Sequence, residues 1–399
     1  MTSTSTAPSR AGDAVLDPRA ATIRLFRLCL GLALGFLAVC LPLPAIPLFV
    51  HDTLHYNDVL VGAAVGIQFL ATILTRGLAG RLSDQHGPRR AMIAGLCLAV
   101  AAGLAYALAA TMHGWAALAV LFAGRLVMGG GESLLTTGTL AWAIGSLGAA
   151  QAGRVMSWAG AAMYGALAVG APIGLAIAHA GGFGMMGLAS ACAPMLGLAV
   201  VLGLPPVAAV GGTRIGMHQV IRLIAAPGIA LCLQGVGFAA IGAFISLYFQ
   251  SRGWSGAGLA LTAFGAAFVA MRLVCGRLPD RFGGPRVALV VLLIEALGQA
   301  LLWLADAPQL ALFGAAVTGL GCSLVFPALG TVAVGRVPPQ NRGTALGSYA
   351  AFQDVSYGLT GPLTGWVAAR HGYAAVFLIG CLAALAGAAM ALSMARRHR

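Results

Sequence analysis

The sequence contains no lysine: all 23 of its basic Lys/Arg positions are arginine. A phosphate-binding P-loop needs a Lys on the nucleotide phosphates and Schiff-base chemistry needs a Lys amine, so neither an ATP-driven motor nor a pyridoxal-type enzyme is encoded. Charge is scarce altogether, at 8% of 399 residues with only ten acidic side chains, whereas a soluble globular chain carries about 25%. There is no CxxC pair, no GxSxG, and no apolar run with His, Asp or Glu at metal-ligand spacing, so no metal, no cofactor and no enzymatic activity are expected. The eight cysteines stand singly in apolar stretches, as small core hydrophobes do.

What fills the chain instead is apolar: 60% of residues are hydrophobic and the mean hydropathy is +0.92. Runs of about 20 apolar residues, each long enough to cross a hydrocarbon layer as a helix, recur from Leu25 to Met394. The expected spans are 25–50, 58–80, 91–111, 115–142, 155–179, 185–206, 227–250, 256–276, 287–305, 309–334, 344–369 and 373–394. The chain therefore reads as an all-α membrane protein of twelve transmembrane helices, with any energy input drawn from an ion or substrate gradient.

The net charge of +13 is not a nucleic-acid signal, because the arginines sit in short segments between apolar runs. Alternate loops hold nearly all of them, among them Arg81, Arg89, Arg90, Arg154, Arg277, Arg281 and Arg286, while the opposite loops hold only Arg252 and Arg370. By the positive-inside rule both termini are expected in the cytoplasm. The tail at 1–22 is rich in Ser, Thr, Ala and Pro and is expected to be disordered; 395–399 forms a second short cytoplasmic tail.

A repeat organises the spans. Arg76-Gly-Leu-Ala-Gly80-Arg-Leu-Ser-Asp84-Gln-His-Gly87 is matched by Arg272-Leu-Val-Cys-Gly276-Arg-Leu-Pro-Asp280-Arg-Phe-Gly283, an offset of 196. Gly129-x-Gly131 pairs with Gly319-x-Gly321, and Ala171-Pro172-Ile-Gly174 with Gly361-Pro362-Leu-Thr-Gly365, at an offset of 190. Two similar six-helix bundles in tandem follow, at 23–206 and 227–394, joined by a linker at 207–226.

Gly80 to Arg90, with its partial copy from Gly276 to Arg286, resembles the loop signature of the Major Facilitator Superfamily. Arg125-Leu-Val-Met-Gly129-Gly-Gly131-Glu132 resembles that family's second signature. Gly165-x4-Gly170-Ala-Pro172-Ile-Gly174 is similar to the motif of its proton-coupled exporters, with Ala171 in place of a Gly. Leu41-Pro-Leu-Pro-Ala-Ile-Pro-Leu-Phe, Gly66-Ile-Gln-Phe-Leu-Ala-Thr, Gly321-Cys-Ser-Leu-Val-Phe-Pro-Ala-Leu-Gly and Tyr349-Ala-Ala-Phe-Gln-Asp354 resemble the bacterial inner-membrane YhhS/YfcJ-like, or arabinose-efflux-like, subgroup. The resemblance implies the two-bundle fold of that superfamily, in a bacterial inner membrane, sufficient as a monomer. It also implies exchange of protons for a small organic substrate by alternating access, that is, efflux by antiport. Uptake by symport, or facilitated passage of a sugar or organic acid, is the other reading.

Three acids fall inside expected spans. Asp354 lies near mid-membrane and is the first choice for proton coupling; the alternative is an Asp held charged by an Arg or capping hydroxyls. Glu132 is a second proton site or the anchor of a gating Arg. Glu295, on a helix the resemblance puts at the periphery, is expected to pack with a partner such as Arg272. The resemblance makes Gln68, Arg125, Tyr164, Gln234 and Gln353 substrate-cavity candidates, and Gly80, Arg81, Asp84, Gly87, Arg89, Arg90, Gly276, Arg277 and Asp280 a gating loop. Gly165, Gly170, Pro172, Gly174, Gly361, Pro362 and Gly365 are expected at close helix contacts. Pro42, Pro44 and Pro47 are expected to kink the first helix, because each lacks a backbone donor.

Overall fold

A computed structural model describes residues 18–148, 151–207, 217–337 and 342–397. Among these residues every regular element is helical: α1 (Pro18–Cys40), α2 (Ala45–Leu48), a π-helical turn (Phe49–Thr53), α3 (Asp58–His86), α4 (Pro88–Ala109), α5 (Gly114–Leu147), α6 (Ala152–Leu202), α7 (Met217–Ser251), α8 (Ala257–Cys275), α9 (Leu278–Phe282), α10 (Gly284–Trp303), α11 (Pro308–Gly335), α12 (Arg342–His371) and α13 (Ala374–Arg397). α1, α2 and the π turn form one span. α6 holds two, because Gly182 at φ 77° turns the chain between 152–181 and 183–202. With α3, α4, α5, α7, α8, α10, α11, α12 and α13 this makes the expected twelve. Leu74, Leu126, Leu196, Val274, Phe313 and Leu363 are exposed on the outer surface, a girdle that only lipid can cover.

Local chemistry sets the departures from the expected boundaries. α1 stops at Cys40 and the chain turns through Leu41–Pro44 before α2, since Pro42 and Pro44 supply no N–H to continue the ladder. Gly80 to His86 continue as the last turns of α3, and the reversal waits for Gly87 at φ 91° with Pro88 opening α4. In the second copy Pro279 stands where the first has Ser83, and the chain breaks earlier, at Gly276–Arg277, before the short α9. α7 begins at Met217, ahead of Pro227, so 217–226 of the expected linker are helical. Residues 208–216 of that linker, and the tails 1–17 and 398–399, lie outside the described residues.

Each half is an interlocked bundle: α1 packs on α6, α4 on α5 and α6, and α3 on α5; α10 packs on α11 and α13, α7 on α12 and α13, and α8 on α11. The same contact is built twice. A Cβ on Gly129 of α5 would strike the Gln68 carbonyl of α3, and a Cβ on Gly319 of α11 would strike the Phe264 carbonyl of α8. Without a hydrophobic gradient between helix and lipid, association rests on such backbone approach. The halves meet along two related seams, α3 against α12 and α6 against α8.

Gly129→Val should therefore wedge α3 from α5 and destabilise the protein by about 1–3 kcal/mol. Gly77→Ala, where nothing lies within 4 Å, should leave the melting temperature unchanged or slightly raised. Thermal unfolding in detergent, read alongside size-exclusion profiles, checks both.

Candidate functional site

Asp354, near the middle of α12, is 5% exposed, and its carboxylate takes an ion pair from the Arg76 guanidinium of α3. The bond joins residues 278 apart and crosses the α3–α12 seam. It is charge-assisted, in surroundings where a lone charge of either sign is costly. Arg76 was not among the expected site residues, although the repeat singled it out and a charge inside a span is a signal in itself.

Glu132 is half-buried on α5, and its Oε2 accepts a hydrogen bond of 2.7 Å from Gln68 Nε2 on α3. One turn away, Thr72 Oγ1 donates to the carbonyls of Gln68 and Gly129 at 3.1 and 3.2 Å. Arg125 is fully buried, and its Nε and Nη2 donate to the carbonyls of Ala64 and Val65 at 2.9 and 2.7 Å, with the Tyr106 ring beside it. It thus spends its charge on α3 backbone rather than on a carboxylate. Across the molecule, Gln353 Nε2 donates to Gln234 Oε1 at 3.3 Å, linking α12 to α7 next to the ion pair.

Tyr164 of α6 stacks on Phe268 of α8, with ring centroids 3.5 Å apart and planes 19° from parallel. Phe238 stands 5.2 Å from Phe264 and 5.0 Å from Tyr357, which in turn meets Phe69 at 4.9 Å. An aromatic wall drawn from α3, α6, α7, α8 and α12 thus lines the junction of the two halves. Of these residues only Tyr164 was expected from the sequence.

The seam is pinned at the end remote from the chain termini. There Gln250 Nε2 donates to Asp52 Oδ2 at 2.8 Å, and the Tyr373 hydroxyl donates to Asp58 Oδ1 at 3.0 Å. Burial, then the neighbouring Asp58 charge, holds the Tyr373 hydroxyl protonated well above the usual tyrosine range. Gly62 and Gly361 meet backbone to backbone, Gly365 rests on the Asp58 carbonyl, and Gly258 rests on Pro172. Gly170 packs on Leu37 and Cys40, and Gly174 on the Leu41 carbonyl, while a Cβ added at Gly165 would meet no other side chain or helix within 4 Å.

Two of the loop arginines bond backbone carbonyls. Arg81 is exposed and its Nε reaches the Gly77 carbonyl at 3.4 Å, while Arg89 Nη2 donates to the Leu202 carbonyl at 2.8 Å. Arg24 and Arg27 bond Pro205 and Val200 carbonyls in the same way, so three cations gather at the carbonyl-rich end of α6. Gly80 and Asp84 are half-buried, Arg90, Gly276 and Arg277 exposed, and the Asp280 side chain lies outside the described residues. Glu132 bonds Gln68 rather than a loop arginine. Glu295 also departs from expectation: it is fully buried and faces Gln234 and Cys322, because α10 turns that face toward α7 and α11. Arg272 points the other way, across the α6–α8 seam to Gly160.

The Major Facilitator Superfamily model matches residues 28–257 and 227–399. The chain belongs to the Major Facilitator Superfamily. An uncharacterized MFS-type transporter of Salmonella typhimurium is 44% identical over 385 residues, covering 96% of this chain and 99% of that protein. Among solved structures, the nucleoside transporter NupG superposes with a TM-score of 0.75 at 15% identity, covering 93% of this chain and 99% of the other. A D-xylose–proton symporter superposes with a TM-score of 0.75 at 17% identity, covering 93% and 96%. This member of the superfamily is a multi-pass membrane protein and a secondary transporter of small molecules.

Arg76→Gln leaves Asp354 as a buried, unpaired charge and should cost about 3 kcal/mol. Adding Asp354→Asn should recover most of the loss. A double-mutant cycle in thermal unfolding checks both statements.

Proposed function

We propose that this transporter is proton-coupled and exports a small organic molecule by antiport, with Asp354 as the coupling carboxyl and Arg76 as its switchable partner. The observation that carries the reading is the ion pair across the α3–α12 seam. A proton on Asp354 removes the charge that holds Arg76 and weakens the seam at its middle. Glu132, tied to Gln68 on the same α3, is the second proton site, and Arg125 serves by fixing α3 to α5. Gln234 and Gln353 extend the polar lining and Tyr164 the aromatic one.

Alternating access needs seams that close at one end and open at the other. Arginine placement puts the termini in the cytoplasm of a bacterial inner-membrane protein, so the pinned end at Asp52, Asp58, Gly62 and Gly361 is periplasmic and the conformation is the inward-facing one. The Gly170–Gly174 segment lies in the contact of α6 with α1 near that end, which supports its part in the rocking motion. The Gly80–Arg90 and Gly276–Arg286 loops act as the gate at the cytoplasmic end. A second reading, uptake of an organic acid together with a proton, is favoured by Arg272, whose charge faces Tyr164 rather than a carboxylate.

Inside-out vesicles given a proton gradient and a pH-sensitive dye test the reading. Substrate-triggered proton release from the lumen is expected, and should be abolished by Asp354→Asn without loss of expression. Solutes that equilibrate with no proton movement would make the protein a facilitator. In a background freed of native cysteines, the pair Asp52→Cys with Gln250→Cys should cross-link, halt transport, and regain it on reduction.

A further inference from the structure

The two halves each send one arginine across a seam, and only one of them meets a carboxylate. Arg76 and Arg272 are equivalent in the repeat, 196 residues apart, and Asp354 is equivalent to Tyr164, 190 residues apart. Arg76 of α3 reaches Asp354 of α12. Its counterpart, Arg272 of α8, crosses to α6, where the absent side chain of Gly160 leaves room for its Nη1 and where it faces Tyr164. Its guanidinium carbon lies 5.5 Å from the centroid of Phe268, the ring on which Tyr164 stacks. Among the described side chains no carboxylate lies within ion-pair distance of Arg272.

Arg76 is answered by Asp354 and Arg125 by two carbonyls of α3, whereas among the described side chains Arg272 has no carboxylate in reach. A cation at membrane depth without a partner is costly, and a guanidinium presents a planar fork suited to a carboxylate, sulfonate or phosphate. Beside it stand Tyr164 and Phe238, half-buried rings whose free parts offer an apolar body somewhere to pack.

We infer that Arg272, with the half-buried rings of Tyr164 and Phe238, is the subsite for the anionic group of the substrate, which is a small organic anion with a planar apolar body. The inference rests on the reading of the seam as the transport path, and it deepens that reading by naming a substrate class.

The test is ligand binding to the purified full chain in detergent, followed by thermal stabilisation and equilibrium titration, with four probes of similar shape: benzoate, 2-naphthalenesulfonate, the neutral benzamide and the cationic benzylamine. The two anions should stabilise the wild-type protein over the other two. Arg272→Gln should weaken anion binding about tenfold or more, whereas Arg222→Gln, an exposed change on α7, should not. If Arg272→Gln does not fold, Arg272→Lys keeps the charge without the fork and should weaken anions severalfold while preserving their advantage over benzamide. Equal binding of all four probes, preference for benzylamine, or an anion preference untouched by changes at Arg272 would overturn the inference. Binding does not depend on coupling, so the two readings fail separately. Anion binding without proton movement would sink coupling alone, and proton movement driven by cations would sink the subsite alone.

Discussion

The structure depends on a constraint that lipid imposes: a charge placed at mid-membrane must be answered, and the answer fixes which helices stay together. Arg76 is answered from the other half of the molecule, by Asp354. Arg125 is answered within its own half by two carbonyls of α3, and Glu132 by the amide of Gln68. α3 takes part in all three, so it is the helix on which the polar interior of the first half converges. Bonds within a half make a rigid body, while the Arg76–Asp354 bond is the one that ties α3 of one half to α12 of the other.

Around that polar centre the backbone does the packing. Gly129 on Gln68 and Gly319 on Phe264 bring helices of one half to near contact, and Gly62 on Gly361 does the same between halves. Flat glycine contacts between halves carry no interdigitated side chains to lock them, which suits surfaces that must part and meet again. The tightly bonded elements and the separable ones are therefore distinguished by the chemistry at each seam.

Much of this was legible in the sequence because lipid leaves few options: an apolar run of span length becomes a helix, so the twelve helices and their tandem halves could be read directly. Helix ends were less legible, since Gly87 rather than Gly80 turns the first loop while Pro279 breaks its copy early. Asp354 was identifiable as a mid-span acid, but its partner was not, because Arg76 lies 278 residues away and only folding brings it near. The unmatched Arg272 was hidden for a related reason. Its meaning lies in the comparison of Tyr164 with Asp354, which the repeat offset contains but which means little until both seams are seen. Glu295 was misassigned because the face a helix turns to its neighbours is not written in its spacing alone.

The central claim is that a proton on Asp354 governs the seam. The most direct measurement is the distance between spin labels on Leu78→Cys of α3 and Leu273→Cys of α8, exposed positions on opposite halves, in a background freed of native cysteines. With Asp354 intact, the distance distribution should shift between acid and alkaline pH. With Asp354→Asn it should stay at the acid distribution throughout. A pH response that survives the substitution would contradict the account and place the proton switch elsewhere in the protein.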